Sequence, residues 1–98
     1  MKKLYWTNHS QAKMNYYRLS PQRVKRVIRF PERIEEGIAE DTIAVMQPFG
    51  NKKDKEIWVM VSDTKEKRKI ISAWIYPART KAGEPLPEAI LREFREAL

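Results

Sequence analysis

Apolar positions recur at helical spacing in the first third of the chain. Three aliphatic residues lie at i, i+3 and i+4 and form one stripe: Val24, Val27 and Ile28. Ser20 and Pro21 precede this stripe, and a serine cap followed by a proline at the first helical position is a common helix start. An earlier helix is expected to begin after a cap at Thr7 or Asn8 and to continue to about Tyr17. The sequence thus predicts two N-terminal helices joined by a short turn.

The middle of the chain changes to β-branched and aromatic runs of strand length, at residues 42–47, 56–61 and 69–76. Because only short polar breaks separate these runs, they are expected to pair as antiparallel hairpins. A weaker strand is expected at 33–38, and a final amphipathic helix at about 87–98. The sequence therefore predicts one α+β domain over residues 1–98. Two N-terminal helices would pack on a three- or four-stranded antiparallel sheet, and the C-terminal helix would be an appended element.

Strand alternation assigns the apolar residues of the sheet to two faces. One face is expected to be aliphatic and to pack on the N-terminal helices, with Ile43, Val45, Ile57, Val59, Val61, Ile71, Ala73 and Ile75. The other face is mixed, with Met46, Trp58, Met60, Ser62, Ser72, Trp74 and Tyr76. An open face of this kind would stack nucleic-acid bases. Alternatively, the C-terminal helix covers it, since Leu91 and Phe94 need an apolar surface to pack against.

The charge of the chain is concentrated at one end. Twenty Lys and Arg against 13 Asp and Glu give a formal net charge of +7. Residues 1–31 contain eight basic residues and no acidic one, whereas the remainder sums to −1. A basic segment without acids favours a polyanionic partner, most often nucleic acid. The alternative is a cationic surface without a partner. A membrane surface is disfavoured, because the apolar residues of the basic helices suit a core.

Composition excludes several other classes of protein. The chain has no cysteine and a single histidine, so neither a disulfide framework nor a usual zinc site is expected. No apolar run approaches the ~20 residues of a membrane span, and polar residues follow too early for a signal peptide. A cytoplasmic protein without a cofactor is expected. The acidic pairs Glu35-Glu36 and Glu40-Asp41 offer oxygen ligands for Mg²⁺, but solvated loop charges are the simpler interpretation.

The candidate chemistry lies on the first helix. His9, Lys13 and Tyr17 follow at i, i+4 and i+8 and therefore share one helical face. RNA cleavage by internal attack of the 2′-hydroxyl needs proton transfer and cations near the phosphate, and a histidine can carry one of the proton transfers. Arginines such as Arg18 and Arg79 would neutralise the phosphate. The simpler alternatives are a surface or capping role for His9 and a core role for Tyr17.

Residues 9–14, His-Ser-Gln-Ala-Lys-Met, stand at a fixed distance before Arg18-Leu19-Ser20 and the second helix. With that helix, the segment resembles an uncharacterised prokaryotic domain family that is similar to the RelE/barnase-type toxin ribonucleases. The resemblance covers roughly residues 6–76. It implies N-terminal helices on a curved antiparallel sheet, an RNA substrate and an antitoxin partner.

Three residues match positions of that family, and the resemblance implies that they form its catalytic site: His9, Lys13 and Tyr76. Two residues depart from the family pattern, which often has arginine at the position of Tyr17 and usually glycine at that of Arg18. An arginine takes the left-handed conformation of such a turn only at a cost of ~1 kcal/mol, so the turn is expected to differ.

Three hypotheses about function follow. The first is a metal-independent, RelE-like endoribonuclease. The second is a non-catalytic nucleic-acid-binding domain that uses the basic segment. The third is a protein-interaction module that uses the C-terminal helix. In the first two, four arginines are expected to contact nucleic acid: Arg18, Arg23, Arg26 and Arg79.

Overall fold

The computed structural model describes residues 3–97 and shows an α+β fold with three helices and five strands among them. The strands are β1 (Lys3–Trp6), β2 (Arg33–Glu36), β3 (Thr42–Phe49), β4 (Lys55–Asp63) and β5 (Lys67–Tyr76). The helices are α1 (Asn8–Tyr17) and α2 (Pro21–Arg29), which follow β1, and α3 (Glu88–Glu96), which follows β5. No helix among residues 3–97 is long and apolar enough to cross a membrane.

Side-chain caps start the two N-terminal helices as the sequence predicts. Thr7 Oγ1 accepts a hydrogen bond from the amide of Ser10 at 3.1 Å, and Ser20 Oγ accepts one from the amide of Arg23 at 3.1 Å. Helix α1 ends at Arg18, whose φ of 57° and ψ of 44° are left-handed. The turn therefore takes the conformation that glycine favours, although an arginine stands there.

The prediction of a purely antiparallel sheet with three or four strands is wrong. The five strands lie in the order β1-β5-β4-β3-β2, and β1 pairs with β5 in parallel, with Leu4 opposite Arg68. The other neighbouring strands are antiparallel. Strand β1 was missed because four residues are too few to show a period, and because its partner lies more than 60 positions further along the chain.

A bulge in the β4–β5 pairing changes one face assignment. The register shifts between Met60 and Val61, so that Ile70 and not Ile71 lies opposite Val61. Ile70 is fully buried in the aliphatic core with α1 and α2, whereas Ile71 packs against the aromatic core on the other face. The expectation that Ile71 belongs to the aliphatic face is therefore wrong.

Helix α3 covers the mixed face of the sheet. Trp58 and Trp74 are stacked with ring centroids 6.2 Å apart, and Phe94 meets both rings edge-on at 6.3 and 6.0 Å. Both tryptophans are at most 2% exposed. The face is therefore a core, and the two indole rings are closed to nucleic-acid bases.

Candidate nucleic-acid interface

The polar face of α1 is joined to α3. Lys13 Nζ lies 2.7 and 2.8 Å from the two carboxylate oxygens of Glu93, in a largely buried ion pair. The same ammonium lies 5.3 Å from the ring centroid of Tyr17. Burial raises the pKa of Tyr17 above its ordinary value, and the neighbouring Lys13 opposes that rise. Lys13 thus holds two helices together across the edge of the sheet.

The three residues of the predicted catalytic site lie on two separate elements of the fold. His9 lies one helical turn before Lys13, about 6 Å along the axis, and its Nε2 is buried without a hydrogen-bond partner among the described residues. Tyr76 ends β5 opposite Glu56. Within residues 3–97, no hydrogen bond or ion pair joins Tyr76 to His9 or Lys13. The structure thus places His9 and Lys13 on one helix and Tyr76 at the end of a strand.

A groove of about 550 Å³ lies where three elements meet: α2 with the turn after it, the β3–β4 hairpin, and the segment after β5. We call it the basic groove. Its lining consists of Arg23, Arg26, Phe30, Glu32, Gln47, Pro48, Lys53 and Arg79. Four of these side chains are cationic and one is acidic. The basic groove brings together Arg23, Arg26 and Arg79 from the sequence prediction, whereas Arg18 does not line it.

Three of the cations in the basic groove are not neutralised. Arg23 Nε is buried without a hydrogen-bond partner in the described chain, and the guanidinium lies 5.5 Å from the ring centroid of Phe49. No carboxylate of residues 3–97 forms an ion pair with Arg23, Arg26 or Lys53. Because unpaired cations in a concave surface attract anions, this arrangement favours a phosphate-bearing ligand.

Arg79 differs from the other three cations because its guanidinium is already engaged in contacts within the protein. Its Nε donates to Glu56 Oε2 at 3.3 Å and its Nη1 donates to the carbonyl oxygen of Lys53 at 3.2 Å. Its Nη2 lies 3.6 Å from Glu32 Oε1. These contacts fasten the segment after β5 to the hairpin, so Arg79 shapes the wall of the basic groove.

Glu56 is a fully buried carboxylate beneath this wall. Oε1 accepts from Trp58 Nε1 at 3.0 Å, while Oε2 accepts from the Thr80 amide at 2.9 Å and from Thr80 Oγ1 at 2.8 Å. Arg33 Nη1 donates in turn to Thr80 Oγ1 at 2.8 Å. Sequence reasoning missed this network. The sequence did contain one signal: Glu56 is an acidic residue at the start of an apolar strand, and a buried carboxylate needs partners.

Gln47 holds the end of α2 in place over the basic groove. Its Nε2 donates to the carbonyl oxygen of Arg26 at 3.2 Å and to that of Phe30 at 2.7 Å. The Arg26 carbonyl lies in the last turn of α2 and also accepts from the Phe30 amide, whereas Phe30 is the residue that caps the helix. No local sequence pattern marks Gln47, Phe30 or Lys53 as a binding residue, since each is unremarkable within its own segment.

No protein-family model, curated protein or solved structure matches the chain. The fold and the site together define a small α+β protein with a basic groove at the hairpin end of its mixed sheet. The similarity to RelE-type toxins stays a prediction.

Proposed function

We propose that this protein binds RNA through the basic groove. The observation that supports the proposal is the convergence of Arg23, Arg26 and Lys53, all without carboxylate partners among residues 3–97, around a single exposed acid. Phosphate groups would pair with these cations and release the counterions that otherwise surround the nucleic acid. A cytoplasmic location is part of this proposal, since RNA is abundant there.

Replacement of Arg26 by glutamine is expected to weaken the binding of single-stranded RNA several-fold. It should also reduce the slope of log affinity against log salt by about 0.7, the value for one lost phosphate contact on a single strand. Fluorescence anisotropy with a labelled oligonucleotide over a salt series measures both quantities. Because the side chain of Arg26 is exposed and has no partner among the described residues, and the substitution leaves the main-chain hydrogen bonds in place, the fold should be unaffected.

Lys25→Gln is the matched control. Lys25 is the neighbouring exposed cation on α2 and does not line the basic groove, yet its replacement removes the same charge. It should leave affinity and salt slope near those of the wild type. Equal losses in both variants would indicate diffuse attraction by the basic segment and would contradict a site in the groove.

We also propose, as a second candidate, a metal-independent endoribonuclease of RelE-like fold under the control of an antitoxin. Two observations favour it: α1 and α2 both contribute to the aliphatic core on one face of the sheet, and His9 Nε2 is buried without a partner in the described chain. Against it, Lys13 is engaged by Glu93, and no histidine lines the basic groove.

If this second proposal holds, the wild type should cleave labelled single-stranded RNA in EDTA and His9→Ala should not. The measurement is a denaturing gel, with folding of both proteins checked by circular dichroism. Equal cleavage by both proteins would show that His9 takes no part in the reaction. Binding without cleavage would favour the non-catalytic proposal.

A further inference from the structure

We infer that the basic groove takes unpaired nucleotides, with one base stacked on the ring of Phe30. This inference rests on the proposed RNA binding and adds the class of RNA and the residue that recognises it. It concerns Phe30, the only aromatic residue that lines the basic groove among the described residues.

Phe30 is a solvent-exposed aromatic ring on a well-anchored backbone. The residue is 63% exposed although it directly follows α2. Its amide donates to the carbonyl oxygen of Arg26 at 2.9 Å, and its own carbonyl oxygen accepts from Gln47 at 2.7 Å. The main chain on both sides of the ring is thus fixed, so little ordering is needed when a ligand stacks there.

Arg29 lies over the Phe30 ring, with its Cζ 5.4 Å from the ring centroid. Because this cation lies over one side of the ring, a base would stack on the other side. An aromatic ring beside cations is the combination that binds single strands, since the cations hold the backbone and the ring takes the base. A duplex hides the faces of its bases inside the stack and cannot use the ring in this way.

The same combination separates a single-stranded nucleic acid from polyanions that lack bases. The unpaired cations Arg23, Arg26 and Lys53 would attract inorganic polyphosphate or an acidic peptide as readily as a nucleic acid. Only a ligand with an aromatic base gains from the exposed ring. Recognition of RNA over a plain polyanion is therefore expected to depend on Phe30, and attraction to any polyanion on the cations.

The test compares Phe30→Leu with the wild type on three probes: a labelled oligouridylate of about ten nucleotides, an RNA duplex of similar length, and inorganic polyphosphate as a competitor. Leucine keeps an apolar side chain but removes the aromatic face. The variant should bind the oligouridylate about 5-fold to 100-fold more weakly, which corresponds to the loss of one stacked base. Its affinity for polyphosphate and for the duplex should stay within about twofold of the wild type, since neither probe uses the ring.

Tyr5→Leu is the matched control. Tyr5 is also an exposed aromatic residue with a cation over its ring, the ammonium of Lys67 at 5.2 Å from the centroid. Tyr5 is far from the basic groove. Its partner in the sheet is Lys69, which lies opposite Ser62 of β4, and Ser62 is about 20 Å along that strand from Glu56 at the groove end. This variant should bind the oligouridylate as the wild type does.

The possible outcomes distinguish this inference from the proposed function. Equal affinity of Phe30→Leu and the wild type for the oligouridylate would overturn the stacked base while leaving RNA binding by the groove intact. Equal losses for Phe30→Leu and Tyr5→Leu would also overturn it, since the effect would not be specific to the groove. If the wild type bound polyphosphate as tightly as the oligouridylate, the basic groove would be a plain polyanion site, and the stacked base would be overturned. If the wild type bound neither the oligouridylate nor the RNA duplex nor polyphosphate, both the proposed function and this inference would be overturned.

Discussion

Replacement of Glu56 by glutamine is expected to destabilise the protein by about 3–5 kcal/mol, the usual cost of removing one partner from a buried charged network. Both carboxylate oxygens accept hydrogen bonds, Oε1 from the Trp58 indole and Oε2 from the Thr80 amide. A glutamine has one oxygen and one NH2 group in place of the two carboxylate oxygens. In either orientation of the side chain, the NH2 group faces one of these two N–H donors. A buried donor is then left without an acceptor, and Arg79 loses the charge of one of its two carboxylate partners.

Urea unfolding followed by tryptophan fluorescence measures this loss directly. Glu36→Gln is the matched control, because Glu36 is an exposed glutamate on the edge strand β2. That change should alter the free energy of unfolding by less than about 0.5 kcal/mol. A loss below about 1 kcal/mol for Glu56→Gln would contradict the network as the structure has it, since an unsatisfied buried donor alone costs that much.

Phe94→Ala is expected to cost about 3–5 kcal/mol, as large-to-small changes of buried aromatic residues do. Phe94 is 2% exposed and its ring meets the stacked Trp58 and Trp74 edge-on. Removal of the ring leaves a cavity above the two indoles and withdraws much of the apolar surface that holds α3 on the sheet. The tryptophan emission of the folded variant should shift to longer wavelength, because water reaches the indoles.

The control is Arg92→Ala, at an exposed position of α3. It should change neither stability nor emission by a measurable amount. Under conditions where Phe94→Ala is folded, its RNA affinity should match the wild type, since no residue of α3 lines the basic groove. A stable Phe94→Ala would instead indicate that α3 is loosely attached and free for a partner protein, as the third sequence-based hypothesis holds.

The candidate site was only partly predictable. Arg23, Arg26 and Arg79 were selected because they are basic, and charge is visible in the sequence. Their convergence was not visible, because α2, the β3–β4 hairpin and the segment after β5 are separate in the chain. For the same reason Phe30, Gln47 and Lys53 gave no signal, although they complete the basic groove.

The spacing of His9 and Lys13 was read correctly as one face of a helix. However, spacing within one helix does not predict which side chain of another element contacts that face. The partner of Lys13 is Glu93, 80 residues later in α3. This ion pair links two helices that pack on opposite faces of the sheet, so it depends on where the fold places α1 and α3.

Features that depend only on neighbours along the chain could be predicted from the sequence. These are the caps at Thr7 and Ser20, the stripe of α2, the strand runs and the concentration of basic residues before residue 32. Each follows from interactions within a few positions, namely capping hydrogen bonds, helical spacing and β-branched stiffness.

The remaining features could not be predicted, because they depend on contacts between distant segments. The parallel pairing of β1, the bulge at Met60 and Val61, the buried network of Glu56 and the walls of the basic groove all join segments far apart in sequence. Such contacts form only when a whole sheet and its covering helices bury apolar surface together. The free energy of that burial is shared by the whole core, so no local pattern records where two distant segments meet.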